Sequence, residues 1–454
     1  MKGEQNMVLP TAGKKKMSLV KKIFIGLIGG IIVGYILNFL GGANNEIIAA
    51  YIFPFLSFLG NLFIRLIRMV VVPLVLFCII DAAVSLGDIK KLRTIGLKTI
   101  AFFLASGMIA ASIGLILVNI IQPGRGIQIG EIESNITVNQ ISGPYETILN
   151  MIPTNPFASL SAGDMLPIIV FALFLGLALI AIGEKAAPVA KGIKTLADAM
   201  FRMITFILGI IPFGVFGLMA VALGTYGVEI FGPVLKFIAV DYLANFIMVA
   251  GVYGLFLTFI AKVNIRTFWK HAFEPWLLAF SACTTNAALP RSMKVAPRLG
   301  VPKEISNFVL PLGATANMNG TCIYFAIIVL FAAQLYGIDL PISQQILAAG
   351  TATLLSVGCA ATPQIGLVIS TTLLTSLGFP LDAIALVAGI YRIVDQAHTS
   401  TNATGDIVTA LCIASIQGEL DREQLAAAAK MTPAEMAEFD AKIDAEDGLL
   451  SEAC

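Results

Sequence analysis

The residues best equipped for chemistry lie in one otherwise apolar stretch, IYRIVDQAHTSTNATGDIVTALCIAS, at positions 390–415. It carries Arg392, Asp395, His398, Thr399, Asn402 and Asp406. At about 100° per helical residue, Asn402 and Asp406 fall within about 20° of Asp395, Thr399 within about 40°, and Arg392 and His398 within about 60° on either side. One stripe therefore gathers two carboxylates, a guanidinium, an imidazole, a hydroxyl and an amide, and the opposite face is expected to be apolar. Carboxylate and amide oxygens suit sodium. A plainer reading makes Arg392 and Asp395 an i,i+3 salt bridge that only joins helices. His398 is open between a neutral, hydrogen-bonded imidazole and one that carries charge near neutral pH, pairing an anionic substrate or moving a proton.

The rest of the chain says where such a stripe must sit. Of 454 residues, 57% are hydrophobic and 13% charged, against about 25% charged in soluble domains. So few charges cannot cover a soluble fold of this length, and the excess apolar surface must face lipid. At membrane depth an ionisable group costs about 2.5–3.5 kcal/mol. The stripe must then face a solvated cavity, a bound ion or its own partners. A net charge of +1, with no basic stripe interleaved with aromatics, excludes nucleic acid as a partner. Six scattered cysteines and two histidines offer neither a disulfide framework nor a zinc site. With no HExxH, GxSxG or P-loop pattern, an intramembrane enzyme is set aside.

Eight apolar segments of spanning length are read near 18–40, 50–83, 92–121, 166–183, 195–222, 228–262, 306–335 and 380–416. Several exceed the roughly 20 residues of a perpendicular span, which implies tilt. Lys14, Lys15, Lys16, Lys21 and Lys22 precede the first run. They place the N-terminus in the cytoplasm, and the run is long enough to be a retained span rather than a cleaved signal. Eight spans return the C-terminus to the same side, where residues 417–454 read as an acidic, alanine-rich, solvated tail. The expected fold class is an all-α polytopic protein of the cell membrane.

Two segments break this pattern. Residues 272–300 run apolar for about nine residues, roughly 14 Å of helix, into the polar patch Ser281, Thr284, Thr285 and Asn286. Residues 344–376 are split at Gly358-Cys-Ala-Ala-Thr-Pro363. Each precedes a long span with an Asn-x-x-Gly sequence, at 317–320 and at 402–405. This reads as a weak internal repeat: a broken hairpin, then a helix interrupted at Asn/Gly. Interrupted segments in matching positions point to a transporter's binding site. Glycine disfavours a helix interior by about 1 kcal/mol and asparagine competes for backbone hydrogen bonds, so 317–320 is suited to unwinding. Asp406 with the amide oxygens of Asn317 and Asn402 could then hold one sodium. At the first tip, Thr284, Thr285 and Asn286 stand beside an expected helix start, whose free N–H groups suit a substrate carboxylate.

These residues resemble the dicarboxylate/amino acid:cation symporter family, the glutamate-transporter-like sodium-coupled carriers. The resemblance covers about 20–416. It rests on IIPFGVFGLMA at 210–220 and, more specifically, on PLGATANMNGT at 311–321 and TNATGD ending at Asp406. It implies eight transmembrane helices plus two re-entrant helical hairpins built as inverted repeats, a homotrimer, and a transport domain that slides past a scaffold. Residues 1–17 are then a cytoplasmic segment. Residues 18–262 are mainly scaffold, with spans three and six joining the transport domain. Residues 263–416 are the transport core, with hairpin one at 268–300, span seven at 306–335, hairpin two at 341–376 and span eight at 380–416.

The resemblance assigns Asp395 to a substrate amino group, Asn402 to substrate support and Thr321 to a substrate hydroxyl contact. Thr284, Thr285, Asn286, Thr362, Gly366, His398 and Thr399 complete the substrate set. Gly313, Asn317, Asn402 and Asp406 match one sodium site. Thr315, Met318, Ser356, Val357 and Cys359 match a second, largely through backbone carbonyls. The tip of hairpin two, 356–366, is expected to gate the site.

The departures bear on cargo and coupling. The family's arginine for a substrate side-chain carboxylate, three residues after the aspartate, is His398 here, and the position of a second-choice arginine on hairpin one matches Cys283. NMDGT reads NMNGT, which puts Asn319 where a third sodium site has a carboxylate, and the third-span partners read Phe103, Ser106 and Gly107. Two sodium ions are therefore expected, with the third site weakened or absent. The expected cargo is an amino acid with a neutral or small side chain, because a fixed cation is the direct way to hold a second carboxylate. The alternative is an acidic amino acid or C4-dicarboxylate read by His398 or Arg392. From another class, the rival is an ion channel. Membrane lipid is the surrounding partner.

Overall fold

A chain crossing lipid must satisfy its backbone hydrogen bonds internally, and helices do so. The computed structural model describes residues 19–85, 92–126, 149, 152–163, 165–357, 364–379 and 382–452. Among them there is no β-strand, and nearly every residue is helical. The first half comprises α1 (Leu19–Phe39), α2 (Phe53–Ser85), α3 (Leu92–Ile121), α4 (Met165–Ile182), α5 (Ala187–Leu208), α6 (Ile211–Tyr226) and α7 (Phe231–Phe246, prolonged through wide π turns to Ala261). By length and composition, five stretches of the described residues are long and apolar enough to cross a bilayer: Lys21–Phe39, Ile95–Ile121, Pro167–Met200, Ile211–Ala261 and Lys303–Leu335.

The expected fifth span, 195–222, is two helices rather than one. The chain breaks between α5 and α6, where Gly209 N donates to Phe206 O at 3.1 Å and Ile210 N to Ile207 O at 2.9 Å. Pro212 explains the break, since it has no N–H to offer and its ring excludes the carbonyl four residues back. α6 lies against α1 along Gly26, Gly30 and Gly34, where an added Cβ would overlap the carbonyls of Pro212, Phe216 and Ala220. That is the small-residue seam by which helices approach closely in lipid.

The second half starts with α8 (Ile265–Ala282) and α9 (Thr285–Arg298), a helical hairpin turning at Cys283 (φ 53°, ψ 44°). α10 (Lys303–Ala316) and α11 (Asn319–Leu335) form one interrupted span. Nearly all of α11 is buried, as befits a helix apolar on every side, and α3, α7, α12 and α14 pack around it. α12 (Ile342–Val357) and α13 (Ile365–Ser376) lie where the arms of the second hairpin are expected. Gly358, Cys359 and Thr362 of its tip lie outside the described residues.

The last long helix, α14 (Asp382–Gln417), corrects two expectations. It runs unbroken through Asn402 and Gly405, so only the first Asn-x-x-Gly interrupts a helix. Gly405 serves close packing instead: an added Cβ would overlap the Tyr253 hydroxyl. The face away from Asp395 is not simply apolar, for Ser400 and Thr404 are buried there. Their hydroxyls donate to carbonyls of their own helix, Ala397 O at 3.0 Å and Ser400 O at 2.7 Å, which hides their polarity. The C-terminal segment is helical and mostly exposed, as a solvated helix would be, but it is not detached. α15 (Arg422–Lys430) and α16 (Pro433–Glu452) fold back onto hairpin one.

Candidate substrate and cation site

Three elements converge on the site: the break between α10 and α11, the polar stripe of α14, and the hairpin tips. At the break, Asn317 (φ −100°, ψ 74°) and Met318 (φ −105°, ψ 53°) leave the helix, as the 317–320 sequence requires. Asn402 reaches across from α14. Its Oδ1 accepts from Gly320 N at 2.7 Å, supplying a partner to a free N–H at the start of α11. Its Nδ2 donates to Thr321 Oγ1 at 3.3 Å and lies 3.1 Å from Met318 Sδ.

One turn further along α14, Asp406 Oδ1 accepts from Asn317 Nδ2 at 3.0 Å. Gly313 lets α10 come close, since an added Cβ would overlap the Asp406 carboxylate. Asn317 Oδ1 is buried with no hydrogen-bond partner. Gly313, Asn317, Asn402 and Asp406 are thus brought together. A buried carboxylate beside an orphaned amide oxygen is a donor set that a hard monovalent cation would satisfy.

The substrate set gathers next to it. Asp395 Oδ2 accepts from Gln364 N at 3.1 Å, and Oδ1 accepts from Thr399 Oγ1 at 3.2 Å. The second arm of hairpin two therefore starts against Asp395. Gly366, two residues on, packs at the Tyr391 hydroxyl and close to Thr321. At hairpin one, Ala279, Ala288 and Ala403 pack together, seating the tip on α14. Thr284 is half-buried and Asn286 exposed. Thr285 is turned away from a ligand: its hydroxyl donates to Ala314 O at 2.7 Å.

Arg392 and His398, each left open by the sequence, find their partners here. No ion pair joins Arg392 to Asp395 among the described residues. Arg392 Nη2 instead donates to Ser281 O and Ala282 O, both at 3.2 Å, at the C-terminal end of α8. A cation there suits the negative end of the helix. His398 is drawn 60° around the stripe to α7, where Nε2 meets Asp241 Oδ1 at 2.6 Å. Its ring lies against those of Tyr324 and Tyr391. Sequence reading missed Asp241, although a carboxylate in mid-span is itself a signal. It also missed Tyr253, Tyr324 and Tyr391, which read as ordinary apolar residues.

The second cation set is less assembled. Thr315 is exposed and its hydroxyl donates to Leu312 O at 3.1 Å. The Ser356 hydroxyl donates to Thr353 O at 2.7 Å and accepts from Cys322 Sγ at 3.0 Å. Val357 is half-buried at the end of α12. At the third position, Asn319 Oδ1 accepts from Ser106 Oγ at 3.2 Å and Nδ2 donates to the Tyr253 hydroxyl at 2.9 Å. That hydroxyl donates to Thr401 O at 3.2 Å. The network is neutral and internally complete.

Membrane-length helices around buried carboxylate and amide oxygens at an unwound helix define a carrier. Comparison with known proteins gives the family: the sodium:dicarboxylate symporter family matches residues 19–416, and the chain belongs to it. It is a membrane transporter, not an enzyme. It is 38% identical over 422 residues to a proton/sodium-glutamate symport protein of Geobacillus stearothermophilus, covering 90% of this chain and 97% of that one. It is 31% identical over 423 residues to a proton/glutamate-aspartate symporter of Escherichia coli (strain K12), covering 90% and 95%. It is 29% identical over 423 residues to a C4-dicarboxylate transport protein of Rhodospirillum rubrum, covering 91% of each.

Proposed function

We propose that this protein is a cation-coupled symporter of an acidic amino acid, carried with sodium. The expectation of a neutral or small side chain finds no support among relatives named for glutamate, aspartate and C4-dicarboxylates. The observation that carries the acidic reading is the place of Arg392. Its guanidinium sits at the hairpin-one tip, one helical turn from Asp395, held by carbonyls rather than neutralised by that carboxylate. Asp395 would take the substrate ammonium and Arg392 the distal carboxylate, while His398 is engaged with Asp241. A C4-dicarboxylate is the second reading, favoured by the named relatives. It would bring no ammonium to Asp395.

Sodium enters as co-transported cargo at Gly313, Asn317, Asn402 and Asp406, and a second ion at Thr315, Met318, Ser356 and Val357 with hairpin two. Asn319 replaces a third. The reading also includes eight spans with two re-entrant hairpins, a homotrimer, elevator-like movement of the 263–416 core, a plasma-membrane location and cytoplasmic termini, the last supported by the N-terminal lysines.

The test is uptake into proteoliposomes with and without a sodium gradient, comparing labelled aspartate, glutamate, succinate, serine and alanine. Sodium-dependent, counterflow-competent uptake of aspartate or glutamate is expected. Preference for serine or alanine would overturn the substrate assignment. Ion flux without solute coupling would indicate a channel.

A further inference from the structure

Hairpin one is tied at its base by the chain's own C-terminal segment. After α14 the chain turns at Gly418 (φ 74°). Asp421 N donates to Gly300 O at 2.9 Å, and Asp421 Oδ1 caps α15 by accepting from Glu423 N and Gln424 N. Gln424 Nε2 donates to Arg298 O at 3.1 Å, on the second arm of the hairpin. Lys270 Nζ donates to Ala429 O at 3.0 Å, on the first arm. Thr432 and Glu435 then form a capping box that starts α16.

α16 places Asp440 between two arginines of α9. Arg291 Nη1 lies 2.6 Å from Asp440 Oδ2, and Arg298 Nε 3.0 Å from Oδ1. Arg291 also pairs with Glu274 of α8 at 2.7 Å. Both arms and the strap thus share one charge network. Arg298 and Asp440 are largely buried in it, so that removing either partner would strand the other.

His271 sits in the middle of this contact, 3% exposed and outside the membrane-length stretches. Its Nε2–H donates to Ala428 O of α15 at 3.0 Å. Nδ1 is therefore the bare nitrogen, and Arg298 Nη1 donates to it at 3.4 Å. These two bonds fix the neutral tautomer. The charged groups around it are Lys270 and Glu274 on α8, Arg291 and Arg298 on α9, and Asp440 on α16. A proton on Nδ1 would turn an acceptor into a donor facing a guanidinium.

We propose that α15 and α16 are an acid-sensitive latch: docked, they restrain the two arms of hairpin one, and protonation of His271 releases them. Burial, reinforced by Arg298 and Lys270 and opposed by the Ala428 bond and Asp440, holds His271 below its ordinary value. A histidine lowered in this way favours the docked strap fully above about pH 6.5, and that contribution is lost as the pH falls further. The tip of the same hairpin receives Arg392, so release at the base frees the arms that carry the site. The effect on transport rate rests on the symport reading; release itself does not.

The experiment uses full-length protein in nanodiscs and follows hydrogen exchange of 285–298 and 422–443 at about pH 7.5 and about pH 5.5, corrected for the intrinsic pH dependence. Wild type should lose at least tenfold protection in α15 and α16 on acidification, and His271→Gln should keep it. Unchanged wild-type protection, or equal loss in His271→Gln, would overturn the switch. Asp440→Asn should undock the strap at both values and expose hairpin one as acid does. Undisturbed α9 amides beneath an undocked strap would overturn the restraint. Uptake that fails in every variant would count against the transport reading and leave these exchange results standing.

Discussion

His398 Nε2 lies 2.6 Å from Asp241 Oδ1, and the two side chains are 1% and 0% exposed. The pair joins α14 to α7 in the interior, beside the substrate stripe yet turned from it. Removing one partner strands the other, which costs about 3–5 kcal/mol for a buried pair. Asp241→Ala should therefore lower the thermal unfolding temperature sharply. Asp241→Asn with His398→Gln, two neutral partners, should recover part of the loss. Strict additivity of Asp241→Asn, His398→Gln and their double variant would show that the contact carries no coupling.

In the proposed reading, Arg392 is the cation that would meet a second substrate carboxylate. A charge-assisted hydrogen bond to it should matter for aspartate and not for serine. Arg392→Ala is expected to raise the aspartate KM about tenfold, or about 1.4 kcal/mol, while serine or alanine inhibition stays within about twofold. Arg392→Lys should fall between. Equal losses for both substrate types would mean that Arg392 only caps α8 through Ser281 and Ala282.

Asp406 and Asn317 should decide sodium binding. Asn317 donates to Asp406 through Nδ2 while its Oδ1 has no partner, an arrangement a cation would complete. Wild type should be stabilised against heat by sodium chloride relative to choline chloride. Asp406→Asn should remove most of that shift while keeping the fold, because the amide can still bond Asn317. A sodium shift of unchanged size in Asp406→Asn would place the ion elsewhere.

Much of the site was legible because it depends on residue types that are costly in lipid. A carboxylate or amide at membrane depth must be answered by a partner, so Asp395, Asn402 and Asp406 stood out from composition and spacing alone. The unwound turn at Asn317 followed from local propensity. What stayed hidden depends on packing between distant segments. Nothing near Gly405 distinguishes a glycine needed for Tyr253 from one that unwinds a helix. His398 stayed open between a hydrogen-bonded imidazole and a substrate group because its partner, Asp241, lies 157 residues earlier. The C-terminal segment read as solvated because its anchors, Asp440 and the Ala428 carbonyl, meet their partners only through the hairpin.

Asn319 offers a test of sodium stoichiometry built on a neutral network. Its amide is satisfied on both sides, by the Ser106 and Tyr253 hydroxyls, and it is 1% exposed. Asn319→Asp would put a carboxylate in nearly the same volume. Buried and unpaired, that charge is unfavourable, and it loses the amide donor to Tyr253. Without a cation the group would take up a proton; an added cation, ligated by the new carboxylate, Ser106 and nearby carbonyls, would offset the cost with the charge kept. The variant should therefore be less heat-stable than wild type in choline chloride and regain stability in sodium chloride. Its uptake should rise more steeply with sodium, the Hill coefficient increasing by about one if a further ion is coupled. A variant destabilised equally in both salts, with an unchanged sodium slope, would show that the Asn319 pocket has lost the shape of a cation site and not only its charge.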